Sequence, residues 1–343
     1  MKTSTRISEM QKFHFGRKIV CTDGEAGSLA HVVFDAAAHR LTHLGMKQGH
    51  LFGKTVDLPY DTVTEATGDG VMLRITSQEV QVLLAELAAA GEAAVGGAVL
   101  DHRSLVERPA INQNPTEKGT LLLVAVHPEN GALAYLVVHH LCPGRDTLLG
   151  EQYVTTIAPG HVTVTIPDAT LKALPPYRPD DELQEEVERA LFDLTPLHID
   201  LKGITIHVLD SVLYLDGNIS SQLRADIVED QVLGVPGLLE IKNNLVGDDR
   251  LAADLAMALA QDPRTRDLPI GVYPHLGEVR LSGAVHTSQQ KVVAEEIVRH
   301  FPGVRSVINV LVVDPKADLL PVMIPTGVEA EDKVPGKYIR HTK

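Results

Sequence analysis

Sixteen histidines and two cysteines put metal binding first among the kinds of chemistry this chain's side chains suit. His127, His139, His140 and Cys142 are the group whose types fit it best, because imidazole nitrogen and thiolate sulfur are the donors zinc prefers. Their spacing argues the other way. His139 and His140 are neighbours on an expected strand, where successive side chains leave opposite faces. No Cys-x-x-Cys or His-Glu-x-x-His framework accompanies them. They are expected to be structural or exposed, with no metal site. His39 and His43 have the i, i+4 spacing of a helix, but a repeat discussed below puts them on either side of a hairpin turn.

Carboxylates are plentiful, yet acid/base catalysis needs two held in one cleft with shifted pKa values. The densest run, Asp180, Asp181, Glu182, Glu185, Glu186 and Glu188, instead suits the start of a helix, where the macrodipole favours negative charge. It reads as a solvated helix face. There is no Gly-x-Ser-x-Gly, no Walker loop and no Gly-x-Gly-x-x-Gly after a strand. Gly96-Gly97 sits in a small-residue linker, Gly91 to Gly97. The expectation is a chain with no catalytic residues and no cofactor, and with its ligand-binding residues unassigned.

The elements that would position any site are dominated by a repeat. From Leu213 to Val246 and again from Val279 to Val312, at a spacing of 66, Leu215, Gly217, Glu229, Val232, Pro236, Gly237, Asn243 and Leu245 recur as Leu281, Gly283, Glu295, Val298, Pro302, Gly303, Asn309 and Leu311. A fixed period marks a duplicated structural unit. In the second copy Glu278 to Val285 alternates as a strand, Thr287 and Ser288 cap a helix over Gln289 to Phe301, Pro302-Gly303 stops it, and Val304 to Val313 is a further strand. The first copy follows the same plan, with Ser220 and Ser221 as caps and Leu239 to Val246 as the last strand. An earlier strand pairs Ile204-Thr205-Ile206 with Ile270-Gly271-Val272, and a helix precedes each, Asp181 to Leu194 and Asp249 to Ala260. The unit is helix, strand, strand, helix, strand.

That order, with the strand glycine, the capping hydroxyls, the Pro-Gly-Val stop and the asparagine before the last strand, resembles the BON domain of bacterial envelope and stress proteins. The resemblance covers roughly Asp180 to Val313 as two copies. It implies non-catalytic α/β modules for binding, variously of phospholipid, potassium or other domains, with no fixed ligand. Gly217, Gly237, Gly283 and Gly303 are expected to serve backbone geometry, not ligand contact.

The first half reads as β-rich. Strands at Lys18 to Cys21, Leu29 to Phe34, Leu41 to Met46 and Val71 to Ile75, with a turn at Asp23 to Gly27, have the spacing of a small barrel. The text from Phe15 to Met46, followed by Asp57 to Val63, resembles the PRC-barrel shared by the photosynthetic reaction centre H subunit and a ribosome-maturation factor. Gly24 permits the tight turn and Gly27 the close approach of the next strand. A fainter copy follows at an offset of about 92, pairing Ile19, Gly27, Leu29, Leu41, Leu44 and Tyr60 with Ile111, Gly119, Leu121, Leu133, Leu136 and Tyr153, and Val71, Leu73 and Ile75 with Val162, Val164 and Ile166. A capped helix, Ser77 to Ala90, leaves the first copy, and Pro175-Pro176 ends the second.

The expected organisation is multi-domain α+β. A PRC-barrel-like unit spans 10–90, a degenerate second one with linker 91–176, BON-like modules 177–247 and 248–315, and a Pro-containing tail 316–343. Units of this size bury only about 60% of their unfolded surface, so they are expected to pack on one another or to oligomerise. Aromatics make up 4%, tryptophan is absent and the formal net charge is −14, all unsuited to nucleic acid, whose binding rests on basic residues and stacking. Cys21 and Cys142 fall in separate repeats, so no disulfide is expected. That, together with a polar start from Met1 to Phe15 and the lack of an 18-residue apolar run, suits a cytoplasmic protein. In the tail, Leu319, Leu320, Val322, Met323 and Ile324 lie among prolines, which suits an extended peptide docking on a sheet edge. The basic end, Lys337 to Lys343, reads as a solvated terminus. The expected function is a non-enzymatic adaptor or scaffold for a protein or membrane-surface partner, stress-related, with a homo-oligomer or phospholipid contact in view. The alternatives are a small-ligand or potassium-type cation binder and a ribosome-associated maturation factor.

Overall fold

The computed structural model describes residues 6–48, 55–89, 96–110, 116–192, 194 and 203–316. The expected linker from Gly91 falls mostly outside them, as do Ile111, Pro115 and the tail from 317 onward. The fold is mixed α/β and sheet-rich. Contacts divide it into two compact units. One comprises the described residues up to Gly217 with Leu223–Leu245, the other Asn218–Gln222 with the described residues from Val246.

In the first unit the β-rich part repeats one strand plan. The strands are β1 (Gln11–His14), β2 (Lys18–Cys21), β3 (Gly24–Asp35), β4 (Arg40–Lys47), β5 (Thr55–Pro59), β6 (Val63–Thr67) and β7 (Gly70–Leu73). After α1 (Ser77–Ala89) come β8 (Ala98–Asp101), β9 (Leu105–Arg108), β10 (Glu117–Val126), β11 (Leu133–Cys142), β12 (Arg145–Gly150), β13 (Val154–Ala158) and β14 (His161–Val164). One sheet runs β5-β4-β3-β2-β7-β6 and the other β12-β11-β10-β9-β14-β13. Neighbours are antiparallel except β2–β7 and β9–β14, which are parallel. Both long strands carry a bulge at the same place, between Leu29 and His31 and between Leu121 and Leu123, where an extra residue bends the strand.

The two sheets exchange strands. β1, which precedes the first sheet, pairs with β10 of the second, and β8, which precedes the second, pairs with β3 of the first. One apolar core consequently runs through both, from Ile19, Leu29, Leu41 and Leu44 to Val106, Leu121, Leu133 and Leu136.

Register corrects two of the sequence pairings. Ile19 sits opposite Gly27 and Val106 opposite Gly119, so the counterpart of Ile19 is Val106, not Ile111. The first hairpin closes tightly at Cys21 and Gly24, whereas the second closes at Arg108 and Glu117; the longer connection displaces the alignment. Tyr60 opens its 3-10 turn while Tyr153 closes the equivalent one, so these tyrosines are not counterparts either.

After α2 (Asp168–Ala173) and β15 (Pro176–Tyr177), the first α/β module comprises α3 (Asp180–Phe192), β16 (Ile204–Leu209), β17 (Val212–Ile219), α4 (Gln222–Val232) and β18 (Glu240–Gly247). The second comprises α5 (Asp248–Gln261), β19 (Ile270–His275), β20 (Glu278–Val285), α6 (Ser288–Arg299), β21 (Ser306–Asn309) and β22 (Val312–Val313). The expected strand from Val304 to Val313 is therefore two short ones. Strand order is β16-β17-β18 and β19-β20-β21, with β22 also on β20. In the second module Leu251, Leu255 and Leu259 on α5 and Ala294 and Val298 on α6 pack on Val279, Leu281 and Val285, which leaves the other sheet face outward. No helix among the described residues is long and apolar enough to cross a membrane.

Candidate functional site

The repeated residues explain themselves in pairs. Asn243 Nδ2 donates to Glu229 Oε2 at 2.8 Å and to the Ala225 carbonyl at 3.2 Å. Asn309 Nδ2 does the same to Glu295 Oε2 and the Lys291 carbonyl, both at 3.0 Å. In each copy the asparagine Oδ1 then accepts the amide two residues on, Leu245 or Leu311, at 3.2 Å. One carboxamide thus ties helix to strand and occupies an N–H, on β18 in the first copy and between β21 and β22 in the second. Gly217 (φ +122°) and Gly283 (φ +110°) lie where a Cβ would collide with the carbonyl oxygens of Gly203 and Pro269. Gly237 (φ +100°) and Gly303 (φ +89°) follow the helix ends, and Gly24 has φ +147°. At Gly27 a Cβ would meet the Lys47 carbonyl, as one at Gly119 would meet that of His139.

The histidines do not converge. His139 Nδ1 lies 2.5 Å from Asp146 Oδ1, and its ring lies against that of His140, tilted by 45° with centroids 3.5 Å apart. The two rings therefore do not point to opposite faces as strand alternation demands. His140 has φ +60° within a register shift between Val138 and Cys142, and this bulge turns its ring back. His127 uses its backbone to close a turn with Gly131 and Ala132. Cys142 is buried beside Arg145, and Cys21 is buried, which pushes its thiol up. Both are free thiols. His39 lies in the turn before β4 and His43 on β4. Among the described residues no group of three or more histidine, cysteine or acidic side chains is placed to hold a metal.

The best-organised polar cluster centres on a residue the sequence did not single out. Asp210 and Ser211 form the turn between β16 and β17, with φ +53° and +61°. Two consecutive left-handed residues are what a two-residue hairpin requires, usually with glycine. Here the Asp180 carboxylate at the start of α3 stabilises the turn, accepting the amides of Asp210 at 2.7 Å and Ser211 at 2.8 Å. The expected solvated acidic face is thus anchored at its first residue. Elsewhere in the run Glu186 pairs with Arg178 at 2.5 Å. The second module keeps the device in simpler form, with Asp248 accepting the amide of Leu276 at 3.0 Å beside Gly277.

What differs in the first module is the Asp210 side chain. It is 1% exposed and lies 2.6 Å from His14 Nε2 and 3.6 Å from Lys12 Nζ, both on β1, and it accepts the Gly68 amide at 3.0 Å. Burial acts to raise the Asp210 carboxyl, but the hydrogen bond from His14, the charges of His14 and Lys12 and the Gly68 amide outweigh it and hold the group below its ordinary value. Burial pulls the Lys12 amine down against the attraction of Asp210. Nearby, Ser8 donates its amide and hydroxyl to Glu240, both at 2.9 Å. The cluster joins the exchanged strand β1, the β6–β7 turn and the first α/β module. A signal for it stood in the repeat itself: aspartate and serine occupy positions where the second copy has Leu276 and Gly277.

A second cluster closes one end of the second sheet. Arg108, 2% exposed, donates Nε to the Ile166 carbonyl at 2.8 Å and Nη1 to Glu117 at 2.7 Å, and it pairs with Asp168. Arg145 Nη2 donates to the Leu171 carbonyl at 2.9 Å and that of Lys172 at 3.2 Å. Beside them lies a cavity of about 260 Å³ lined by Arg108, Glu117, Cys142, Arg145, Asp168 and Lys172. By register Arg108 is the counterpart of Cys21, and in the first sheet Asp23 next to it accepts the amide and hydroxyl of Ser77 at the start of α1. Both arrangements fasten a strand end to the following helix.

Residues 247–315 match the family model of the BON domain. No curated protein matches the chain. Among solved structures, the C-terminal domain of CdsD, the structural protein of the type III secretion system of Chlamydia trachomatis, is similar at 20% identity and a TM-score of 0.33, over 40% of this chain and 68% of that one. A second CdsD structure from the same secretion system is similar at 10% identity and a TM-score of 0.20, over 39% of this chain and 92% of that one.

Proposed function

We propose that this chain is a non-enzymatic adaptor or scaffold that binds a protein or membrane-surface partner in a stress-related setting. It is built from PRC-barrel-like units at 10–90 and 91–176, BON-like modules at 177–247 and 248–315, and a tail at 316–343. The observation that carries this reading is how the buried and half-buried charges are used. Lys12, His14, Asp180, Asp210 and Arg108 direct their polar atoms at neighbouring strands, turns and helix ends, which suits a body built to hold modules in place. The repeated strand order of the two sheets supports the paired-barrel reading, and the recurring asparagine–glutamate tie supports reading the first module as a further BON-like copy.

The test is a thermal-shift series on the full chain with potassium, calcium, magnesium and anionic vesicles, using sodium as the ionic-strength control. Whatever binds only the folded state raises its stability by mass action. A response to vesicles alone assigns a membrane surface as partner. No response to the ions, together with cross-linking to one protein in fixed stoichiometry, assigns a protein partner. A saturable shift with one cation overturns the reading in favour of cation binding. The cavity beside Arg145 and Lys172 favours a second reading, a small-ligand site, for which a saturable shift lost in Arg145→Ala is the mark.

A further inference from the structure

The two α/β modules share one architecture, so positions where they differ in chemistry are positions the fold leaves open. The outward sheet face is such a place. In the second module the register aligns Tyr273 on β19, Arg280 on β20 and Ile308 on β21 in one row, with Val310 and Val312 continuing the same side. Tyr273 is 60% exposed, and Ile308 (43%), Val310 (40%) and Val312 (63%) follow one another at alternate positions; neighbouring apolar groups left in water mark a contact surface. The first module carries His207, Tyr214 and Lys242 in the equivalent row. There Lys242 Nζ lies 5.8 Å from the centre of the Tyr214 ring, and Asn244 donates to Asp216 at 3.0 Å. The same sheet is thus finished for water in one copy and left apolar in the other.

Charge identifies the occupant. Glu278 and Arg280 lie two residues apart on β20 and so face the same way, and neither has an ion-pair partner among the described residues. A face with an apolar group on each flank and one charge of each sign along its centre is self-complementary. We propose that this face is the contact between two copies of the chain, packed sheet on sheet about a two-fold axis that lies in the interface, perpendicular to β20 and between Glu278 and Arg280. That axis lays Tyr273 of each copy against Tyr273 of the other and Ile308 against Ile308. It also sets each Arg280 opposite the other copy's Glu278. Aligned packing of this kind is a standard solution for two sheet faces, and an isologous contact closes at two copies. The apolar flanks supply affinity, and the crossed charges fix register. The proposal stands apart from the adaptor reading, since it concerns another face and another partner.

The test is sedimentation and light scattering of the full chain over a concentration series. The wild type is expected to move from the mass of one chain to that of two. Ile308→Lys, which imports the residue the first module carries at that position, is expected to fold normally by circular dichroism and to stay at one chain. Arg280→Glu should weaken association at least about tenfold, and Glu278→Arg combined with Arg280→Glu should restore it, because the crossed pairs then re-form with reversed sign. A wild type that stays at the mass of one chain throughout overturns the proposal. So does an Ile308→Lys variant that still dimerises, or a double exchange no tighter than Arg280→Glu alone.

Discussion

Asp210 shows how much one side chain can be asked to hold when its neighbours come from distant parts of the chain. It meets His14 across 196 positions and the Gly68 amide across 142. Replacing it with asparagine leaves Lys12 buried without its counter-charge, a change that costs about 3–5 kcal/mol in comparable buried pairs; urea unfolding of Asp210→Asn should show a loss of that size. The pH dependence has a definite sign. The folded carboxyl titrates below its ordinary value, so its contribution is present above that value and is lost as pH falls through the lower, folded one. Stability of the wild type should therefore drop below about pH 4, and that part of the slope should vanish in Asp210→Asn. Tyr60, whose hydroxyl donates to Gln11 at 2.7 Å, is pushed up to about 12 by burial. Ultraviolet titration should find its phenolate forming late, and earlier in a Gln11→Ala variant that admits water. None of these contacts was legible in the sequence, because partners so far apart leave no local period. The contact between the His139 and His140 rings is hidden for a related reason: strand alternation holds only where register is unbroken, and a bulge breaks it there.

At the scale of elements the sequence was far more legible, since helix stops, caps and strand glycines are local requirements. Thr287 and Gln290 form a reciprocal capping box at the start of α6, and Asn243 on β18 and Asn309 on β21 perform one task twice. That task has a consequence for edges. By taking up the amide of Leu311, Asn309 leaves one donor fewer for a foreign strand to pair with, the management that exposed edges require. Asn309→Ala should cost about 1–2 kcal/mol and speed hydrogen exchange at the Leu311 amide; Asn243→Ala should do the same at Leu245. Gly283→Ala combines a left-handed φ with a collision against the Pro269 carbonyl, so it should cost more than the roughly 1 kcal/mol of glycine strain alone, measured as a fall in melting temperature. Gly24→Ala, with open space around its Cβ, should cost only that strain.

For the whole molecule the decisive arrangement is the exchange of β1 and β8. The offset of about 92 pointed to one strand plan used twice, and the two sheets share a strand order, but which strand pairs with which across them is set by packing, and no residue pattern within either part announces it. Because one core serves both sheets, cavities made on either side should act on the same unfolding event. Leu44→Ala and Leu136→Ala, each at a fully buried position, should each lower stability by about 2–5 kcal/mol. Scanning calorimetry should show both variants shifting one shared transition, and separate transitions for the two sheets would contradict the shared core.

The exchange also bears on how this protein tolerates dilution. Two separate chains that lend each other a strand come apart as they become scarce, since their meeting is bimolecular. Here donor and acceptor are joined covalently, so each strand meets its acceptor at an effective concentration set by the connecting segments. Completion of the β core is therefore insensitive to how many molecules a compartment holds, whereas any contact between whole chains still answers to abundance.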